Sequence, residues 1–185
     1  MNSMSFLVST LFDLYIMVVL LRIWLQAARA DFYNPFSQFI VKATQPVVAP
    51  LRRFIPSIGS IDLATILFAY LLCVLKFVAL VMIISNGQAA LGLDFLFLGA
   101  LSLLKAAGGL LFWVLLIRAI LSWVSQGRSP IEYVFHQLTE PMLAPIRRVL
   151  PAMGGFDLSV LVLFIGLQFA NFLMGDIVGQ IWYQL

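Results

Sequence analysis

The chain has 185 residues, of which 63% are hydrophobic and only 10% are charged, and its formal net charge is +3. Soluble globular domains carry about 25% charged residues, so this composition excludes an ordinary soluble domain. Together with a mean hydropathy of +1.05, it indicates a membrane protein with little mass outside the bilayer.

Four apolar stretches are long enough to cross a bilayer as helices, which takes about 20 residues for a hydrocarbon core of about 30 Å. They run over residues 6–27, 61–85, 95–124 and 158–183. The first is not expected to be a signal peptide, because no positive charge precedes it and Asp13 interrupts it. The sequence therefore predicts an all-α integral membrane protein with four transmembrane helices.

Most of the lysine and arginine residues lie in two segments, one between the first and second spans and one between the third and fourth. Neither terminus and no residue of the 86–94 connection is basic. By the positive-inside rule, both basic segments face the cytoplasm and both termini lie on the opposite side of the membrane.

The two basic segments are near copies of each other. A shift of 95 residues aligns residues 44–63 with residues 139–158, where ten of twenty positions are identical. We predict two tandem repeats in the same orientation, over residues 1–85 and 95–185, joined by an outer connection over residues 86–94. The same shift aligns all eight prolines, pairing Pro35, Pro46, Pro50 and Pro56 with Pro130, Pro141, Pro145 and Pro151.

Each basic segment begins with a helix-capping pattern. Asn34 precedes Pro35 in the first repeat and Ser129 precedes Pro130 in the second, and these are the residue types of an N-cap and a first helical position. Glu132 would complete a capping box with Ser129. We expect a short amphipathic helix behind each cap.

A second short helix is expected in each segment, because proline disrupts a helix that continues through it. The breaks fall at Pro46 and Pro141, so residues 34–56 and 129–151 are each predicted to form an interfacial helical hairpin. An apolar stripe beside paired arginines suits a helix in the headgroup plane, where guanidinium groups reach anionic lipid headgroups. The motif residues expected to meet a partner or lipid are Thr44, Pro46, Pro50, Arg52, Arg53 and Pro56, with Thr139, Pro141, Pro145, Arg147, Arg148 and Pro151.

The repeated motif reads T-[EQ]-P-x-x-A-P-x-R-R-x-x-P-x-x-G-x-x-D, and R-A-I-L-S-W precedes its second copy at residues 118–123. It resembles the YggT (YlmG) family of bacterial and plastid membrane proteins, in the two-repeat proteobacterial form, over essentially the whole chain. The first repeat departs from the pattern at Gln26, Ala27, Ser60 and Ala64. The resemblance implies the bacterial inner membrane with periplasmic termini, and it implies links to osmotic-stress tolerance, potassium uptake or the assembly of b-type cytochromes.

Charges inside the spans cost about 2.5 to 3.5 kcal/mol each at a helix centre, so each one is a candidate for function or pairing. At about 1.5 Å of rise per residue, Asp13 reaches the depth of Lys76, and Lys105 reaches the depth of Asp176. The sequence predicts these two ion pairs. Three interpretations of these four charges remain open. They could be packing contacts between helices, parts of an ion pathway, or side chains that snorkel to the outer interface.

Further charges lie at the cytoplasmic ends of the spans. Arg22 and Arg118 are expected to pair with Asp62 and Asp157 or with lipid phosphate, while both aspartates are also suited to cap the spans that follow. A GxxxG pattern over residues 175–179 permits close helix packing, either within the chain or in a homo-oligomer.

Patterns typical of enzymes are absent from the sequence. His136 is the only histidine, Gln45 stands where the second repeat has Glu140, and there is no zinc-ligand spacing or phosphate-binding glycine loop. We expect no enzymatic activity, no cofactor, no metal and no direct contact with nucleic acid. The sequence favours a membrane adaptor or assembly factor that docks a membrane or cytoplasmic protein partner or anionic lipid; a small oligomeric ion-transport or osmotic-stress protein is the alternative.

Overall fold

A computed structural model describes residues 3–88, 92–124, 129–149 and 158–185. Within these ranges the chain is helical, and apart from one isolated bridge between Ile58 and Ile61 they contain no β-structure, as the all-α prediction requires. The helices are α1 (Ser3–Ala27), α2 (Pro35–Leu51), α3 (Leu63–Ile84), α4 (Asp94–Val124), α5 (Pro130–Val149), α6 (Leu158–Val178) and α7 (Gln180–Gln184).

The helices α1, α3, α4 and α6 are long and apolar enough to cross a membrane, so the chain is a multi-pass membrane protein. Their bounds lie close to the four predicted spans, except that the last one ends at Val178 and does not continue to residue 183. The following residue, Gly179, has φ of +81°, a left-handed conformation that glycine adopts without strain. The chain turns there and forms the separate helix α7.

The core of the bundle forms where α1 packs against α3. Ile16 and Val19 of α1 are buried, as are Ala69 and Cys73 of α3, whereas most other apolar residues of the spans face outward. This distribution suits a membrane protein, because outward-facing apolar residues would contact lipid. The α3 helix also packs closely on α4, where a side chain at Gly99 would overlap Val74.

The amphipathic helices α2 and α5 differ from the predicted hairpins. Each is a single helix that runs through two prolines, Pro46 and Pro50 in α2 and Pro141 and Pro145 in α5, so the predicted break into two short helices is wrong.

Side chains near Pro46 add hydrogen bonds to carbonyl groups of α2. Proline removes a backbone donor and tends to kink a helix, which leaves carbonyl groups in the preceding turn without their usual partners. Near Pro46, the Tyr15 hydroxyl of α1 donates to the Ala43 carbonyl at 3.2 Å, and the Thr44 hydroxyl donates to the Ile40 carbonyl at 2.8 Å. Both bonds lie in the turns that precede Pro46, and a sequence pattern alone does not reveal them.

The predicted side-chain cap of α2 is present, and Ser129 lies at the predicted position before α5. The Asn34 side chain accepts a hydrogen bond from the Phe36 N–H at 2.9 Å, with Pro35 at the first position of α2. In the second repeat, the Ser129 carbonyl accepts from the Tyr133 N–H at 3.4 Å, which places Ser129 at the start of α5. Three other residues of the predicted motif and its surroundings, Arg128, Pro151 and Asp157, lie outside the described residues.

Candidate functional site

The helices α2 and α5 contact each other and form one basic surface. The Asn34 side-chain amide donates to the Pro130 carbonyl at 2.7 Å, and the rings of Phe36 and Phe135 lie 5.6 Å apart. We call this part of the molecule, which consists of α2, residues 52–62 and α5, the basic end.

A buried arginine ties α1 to α2. Arg22 is only 3% exposed, and its Nη1 donates to the Thr44 hydroxyl oxygen at 2.7 Å. The same guanidinium donates to the Val41 carbonyl at 3.3 Å and to Gln45 Oε1 at 2.7 Å. The predicted pairing of Arg22 with Asp62 is therefore wrong. Because α2 continues unbroken through Pro46, it presents its polar residues directly to Arg22.

The second repeat makes the same connection between α4 and α5. Arg118 Nη1 donates to the Thr139 hydroxyl oxygen, and Arg118 Nη2 lies 3.4 Å from Glu140 Oε2. Thr139 is buried, and its own hydroxyl donates to the Phe135 carbonyl at 2.8 Å, as that of Thr44 does to Ile40. In both halves an arginine–threonine contact thus joins a span to the amphipathic helix after it, buried in the first half and partly buried in the second, at positions that the sequence repeat aligns to within one residue.

Asp62 caps α3, as predicted, and binds an arginine of the motif. Its Oδ1 accepts from the Thr65 N–H at 3.3 Å, and its Oδ2 accepts from Arg52 Nε at 3.0 Å. Arg52 also donates to Gln26 Oε1 at 2.7 Å, which links the segment after α2 to α1. Burial raises the pKa of Asp62, but the hydrogen bonds from Arg52 and Thr65 lower it by more, so its pKa lies below the ordinary value.

In the second repeat, the first arginine of the motif also binds an internal carboxylate. Arg147 Nη1 lies 3.0 Å from both Glu140 oxygens. Glu140 also lies 3.4 Å from His136 Nε2 and is shared with Arg118. Glu140 thus holds two arginines, Arg118 and Arg147, together.

The second arginine of each motif is oriented differently. Arg53 and Arg148 are exposed, and neither forms an ion pair with any residue that the structure describes. Each is followed by an exposed apolar residue, Phe54 at 83% and Val149 at 79%. Each arginine pair is therefore divided, with one member in internal contacts and one facing outward.

One of the two predicted intramembrane ion pairs is confirmed. Lys76 Nζ of α3 lies 2.7 Å from Asp13 Oδ1 of α1, and the side chains are 6% and 48% exposed. Asp13 and Lys76 lie at the same depth in the bundle because both belong to unbroken helices, for which the assumed rise of about 1.5 Å per residue holds.

The other predicted pair, Lys105 with Asp176, is wrong. Lys105 Nζ donates to the Trp182 carbonyl at 2.6 Å and lies 5.6 Å from the centre of the Trp182 indole ring, whereas Asp176 is exposed. The prediction considered only depth along α6, but Asp176 lies on an exposed face of that helix, and the turn at Gly179 brings α7 back to Lys105. The Trp182 contact had no signal in the sequence beyond that glycine.

A cavity of about 780 Å³ lies among α1, α4, α6 and α7. Its lining is largely apolar, with Lys105, Gln168 and Asn171 among the exceptions. Sequence reasoning missed it, because a cavity depends on how far α4 and α6 stand apart. Within the described ranges, no three His, Cys, Asp or Glu side chains come close enough to hold a metal ion.

Comparison with known proteins identifies a family. The model of the CCB3/YggT family matches residues 1–83 and 97–178. A protein of Vibrio alginolyticus, named "Uncharacterized protein in proC 3'region", is 84% identical over 185 residues, which cover 100% of both chains.

Two further relatives are similar over most of their length. "Uncharacterized protein YggT" of Escherichia coli strain K12 is 55% identical over 172 residues, which cover 92% of this chain and 88% of that one. An "Uncharacterized protein" of Haemophilus influenzae is 40% identical over 185 residues, covering 98% of this chain and 97% of that one. No solved structure matches the chain.

Proposed function

We propose that this chain, which belongs to the CCB3/YggT family, works as a non-enzymatic adaptor or assembly-type protein of the bacterial inner membrane. In this proposal the basic end faces the cytoplasm, both termini face the periplasm, and the exposed surface of α2 and α5 docks a protein partner beside anionic lipid. The division of each arginine pair, with Arg53 and Arg148 facing outward, is the observation that carries the proposal.

The first argument is that α2 and α5 are fixed to the spans. The contact of Arg22 with Thr44 is buried and that of Arg118 with Thr139 is partly buried, and such charge-assisted hydrogen bonds are stronger than neutral ones. A surface that is already ordered loses less conformational entropy on binding, which favours affinity. The two contacts thus support a preformed docking surface.

The second argument concerns the residue types on that surface. Phe39, Phe54 and Tyr133 are exposed aromatic residues of the basic end, and Tyr33 is an exposed aromatic residue just before α2. Tyrosine and arginine are enriched among the residues that dominate binding energy in protein interfaces. Exposed cations next to aromatic rings suit a partner with an acidic and partly apolar surface, and the same cations favour contact with anionic lipid headgroups.

The ion pair in the spans favours this proposal over the transport and osmotic-stress alternative. Asp13 and Lys76 bind each other, so their charges neutralise pairwise, which is the behaviour of a packing contact between α1 and α3. We therefore propose that the pair fixes the position of α1 along α3 and that the activity lies at the basic end.

The proposal is tested by photo-crosslinking in living cells from probes placed at Phe54 and Val149, with a control probe at Phe169, an exposed residue of α6. We expect a discrete protein adduct from the first two positions and not from the third. The variant Arg53→Glu with Arg148→Glu should remove that adduct while the chain remains in the membrane. Lipid adducts alone, or the same protein adduct from Phe169, would contradict the proposal.

A further inference from the structure

The cavity among α1, α4, α6 and α7 places polar side chains in an apolar, membrane-spanning region. Its volume of about 780 Å³ is comparable to that of small-molecule sites, which are typically about 300 to 1,000 Å³. Leu20, Trp24, Leu104, Leu110, Phe164 and Leu167 are among the apolar residues that line it. Because these residues belong to helices that cross the membrane, a hydrocarbon chain is a suitable occupant.

Lys105 gives the cavity an uncompensated positive charge. Its ammonium donates to the Trp182 carbonyl, but no carboxylate in the described part of the chain lies within ion-pair distance of it. Lys76, the corresponding cation of α3, has Asp13 as its partner. A cation in a membrane span is costly without an anionic partner, so Lys105 favours an anionic ligand group.

Gln168 of α6 is a second polar residue of the lining with unused hydrogen-bonding capacity. Its side chain makes no hydrogen bond to another described residue, whereas the neighbouring Asn171 accepts from the Trp182 indole N–H at 2.9 Å. A polar group left without a partner in an apolar environment costs free energy. The Gln168 amide can donate to the same acceptor group that Lys105 attracts.

Two adjacent glycines of α4 leave room for a chain beside these polar residues. A Cβ atom added at Gly108 or Gly109 would meet no atom within 4 Å, and both residues line the cavity. The open space therefore extends along α4 from the level of Lys105 toward Phe112 and, on α5, Met142.

We infer that this cavity binds a long-chain carboxylate of the fatty-acid type, independently of the docking function proposed for the basic end. The hydrocarbon chain lies along Gly108 and Gly109, and the carboxylate accepts hydrogen bonds from Lys105 and Gln168. A small head group is required because Lys105 lies about 16 Å along α4 from Asp94, at about 1.5 Å per residue, which is too deep for a phospholipid headgroup.

The test uses the full chain in detergent micelles and a palmitic-acid analogue that carries a photoreactive diazirine and an alkyne tag. We expect labelled peptides from α4 and α6, and saturation of labelling as the probe concentration rises. Gly108→Phe should place a ring in the path of the hydrocarbon chain and strongly reduce labelling. Gly166→Phe is the matched control, because Gly166 of α6 also has open space around it but does not line the cavity, and it should label as the native chain does.

The anionic head group is tested separately with Lys105→Met and with the matching fatty alcohol probe. Loss of a charged hydrogen bond should weaken carboxylate binding about tenfold. The alcohol should bind the native chain about tenfold more weakly than the carboxylate does, and should bind Lys105→Met and the native chain equally. If Gly108→Phe does not fold, as judged by circular dichroism, Gly109→Leu takes its place.

Three results would overturn the inference. Labelling that Gly108→Phe and Gly109→Leu leave unchanged would place the probe elsewhere. Equal affinity for the carboxylate and the alcohol would show that the cavity does not recognise an anionic head group. Cysteine crosslinks between two copies at Gly108, without probe labelling, would show that a second copy of the chain covers the cavity.

Discussion

Arg22 of α1 and Thr44 of α2 are joined by a buried hydrogen bond of 2.7 Å between the guanidinium and the hydroxyl oxygen. Arg118 and Thr139 form the corresponding contact in the second half of the chain. The guanidinium of each arginine thereby fixes the middle of an amphipathic helix to the preceding span. The orientation of the basic end depends on these two contacts.

Removing the threonine hydroxyl should destabilise the protein. Thr44→Val keeps the side-chain shape but leaves a buried donor of Arg22 without its partner, which costs about 1 to 3 kcal/mol. Thr139→Val should have a similar effect. The measurement is the free energy of unfolding in mixed micelles of increasing SDS content.

Thr10→Val is the matched control for these variants. The Thr10 hydroxyl donates only to the Phe6 carbonyl within α1, at 2.8 Å, and the bond is exposed. It should change the free energy of unfolding by no more than about 0.5 kcal/mol, the usual range for surface substitutions. Equal effects of Thr10→Val and Thr44→Val would contradict the role given to the buried contact.

The stability of the basic end should depend on pH through Asp62. The folded-state pKa of Asp62 lies below its ordinary value of about 3.9. The ion pair of Asp62 therefore stabilises the fold at pH values above the ordinary pKa, and this stabilisation is lost as the pH falls through the folded-state pKa. The native chain should therefore be more stable than Asp62→Asn at pH 7, and this difference should shrink below about pH 4. Unfolding curves of both proteins between pH 7 and pH 3 provide the measurement, and a difference that grows with acidity would exclude the Arg52–Asp62 contact as its source.

The ion pair between Asp13 and Lys76 should behave as a packing contact. Lys76→Met leaves Asp13 unpaired and should cost about 1 to 2 kcal/mol, less than for a fully buried pair because Asp13 is half exposed. Adding Asp13→Asn to Lys76→Met should restore part of that loss. A double-mutant cycle on the free energy of unfolding measures the coupling, and additive effects of the two substitutions would show that the residues do not interact.

The two arginines of each motif should have separable effects. Arg52→Gln and Arg147→Gln remove internal contacts with Asp62 and Glu140, so they should lower the free energy of unfolding by about 1 to 3 kcal/mol. Arg53→Gln and Arg148→Gln remove exposed charges and should leave it within about 0.5 kcal/mol of the native value. Thermal unfolding of the four single variants in one detergent tests this, and equal losses for all four would mean that the outward arginines also hold the fold.

The sequence was sufficient to predict features that depend on local chain chemistry. The Asn34 and Asp62 caps follow from residue type and position, and the Asp13–Lys76 pair follows from the regular rise of two unbroken helices. It was insufficient where a single residue decides the direction of the chain. Gly179 ends α6 early, so that Trp182 meets Lys105 in place of Asp176.

Tertiary contacts account for the other differences. Proline at position 46 predicts a break when α2 is considered alone, but hydrogen bonds from Tyr15 and Arg22 hold this part of α2 against α1. The division of the arginine pairs also depends on which neighbours surround each side chain, because Arg52 and Arg53 are chemically equivalent in the sequence. Periodicity and motif spacing contain no information on such long-range partners.

The most direct test of the adaptor proposal compares a double variant with a single variant in the same crosslinking experiment, with the probe at Val149. The outward variant is Arg53→Glu with Arg148→Glu, and the inward variant is Arg52→Gln, which keeps the native Arg53 and Arg148. We predict that the outward variant folds with native stability and loses the discrete protein adduct, whereas Arg52→Gln is less stable but retains the adduct in the fraction that folds. Retention of the adduct in the folded outward variant would contradict the claim that the exposed arginines of the basic end dock a partner.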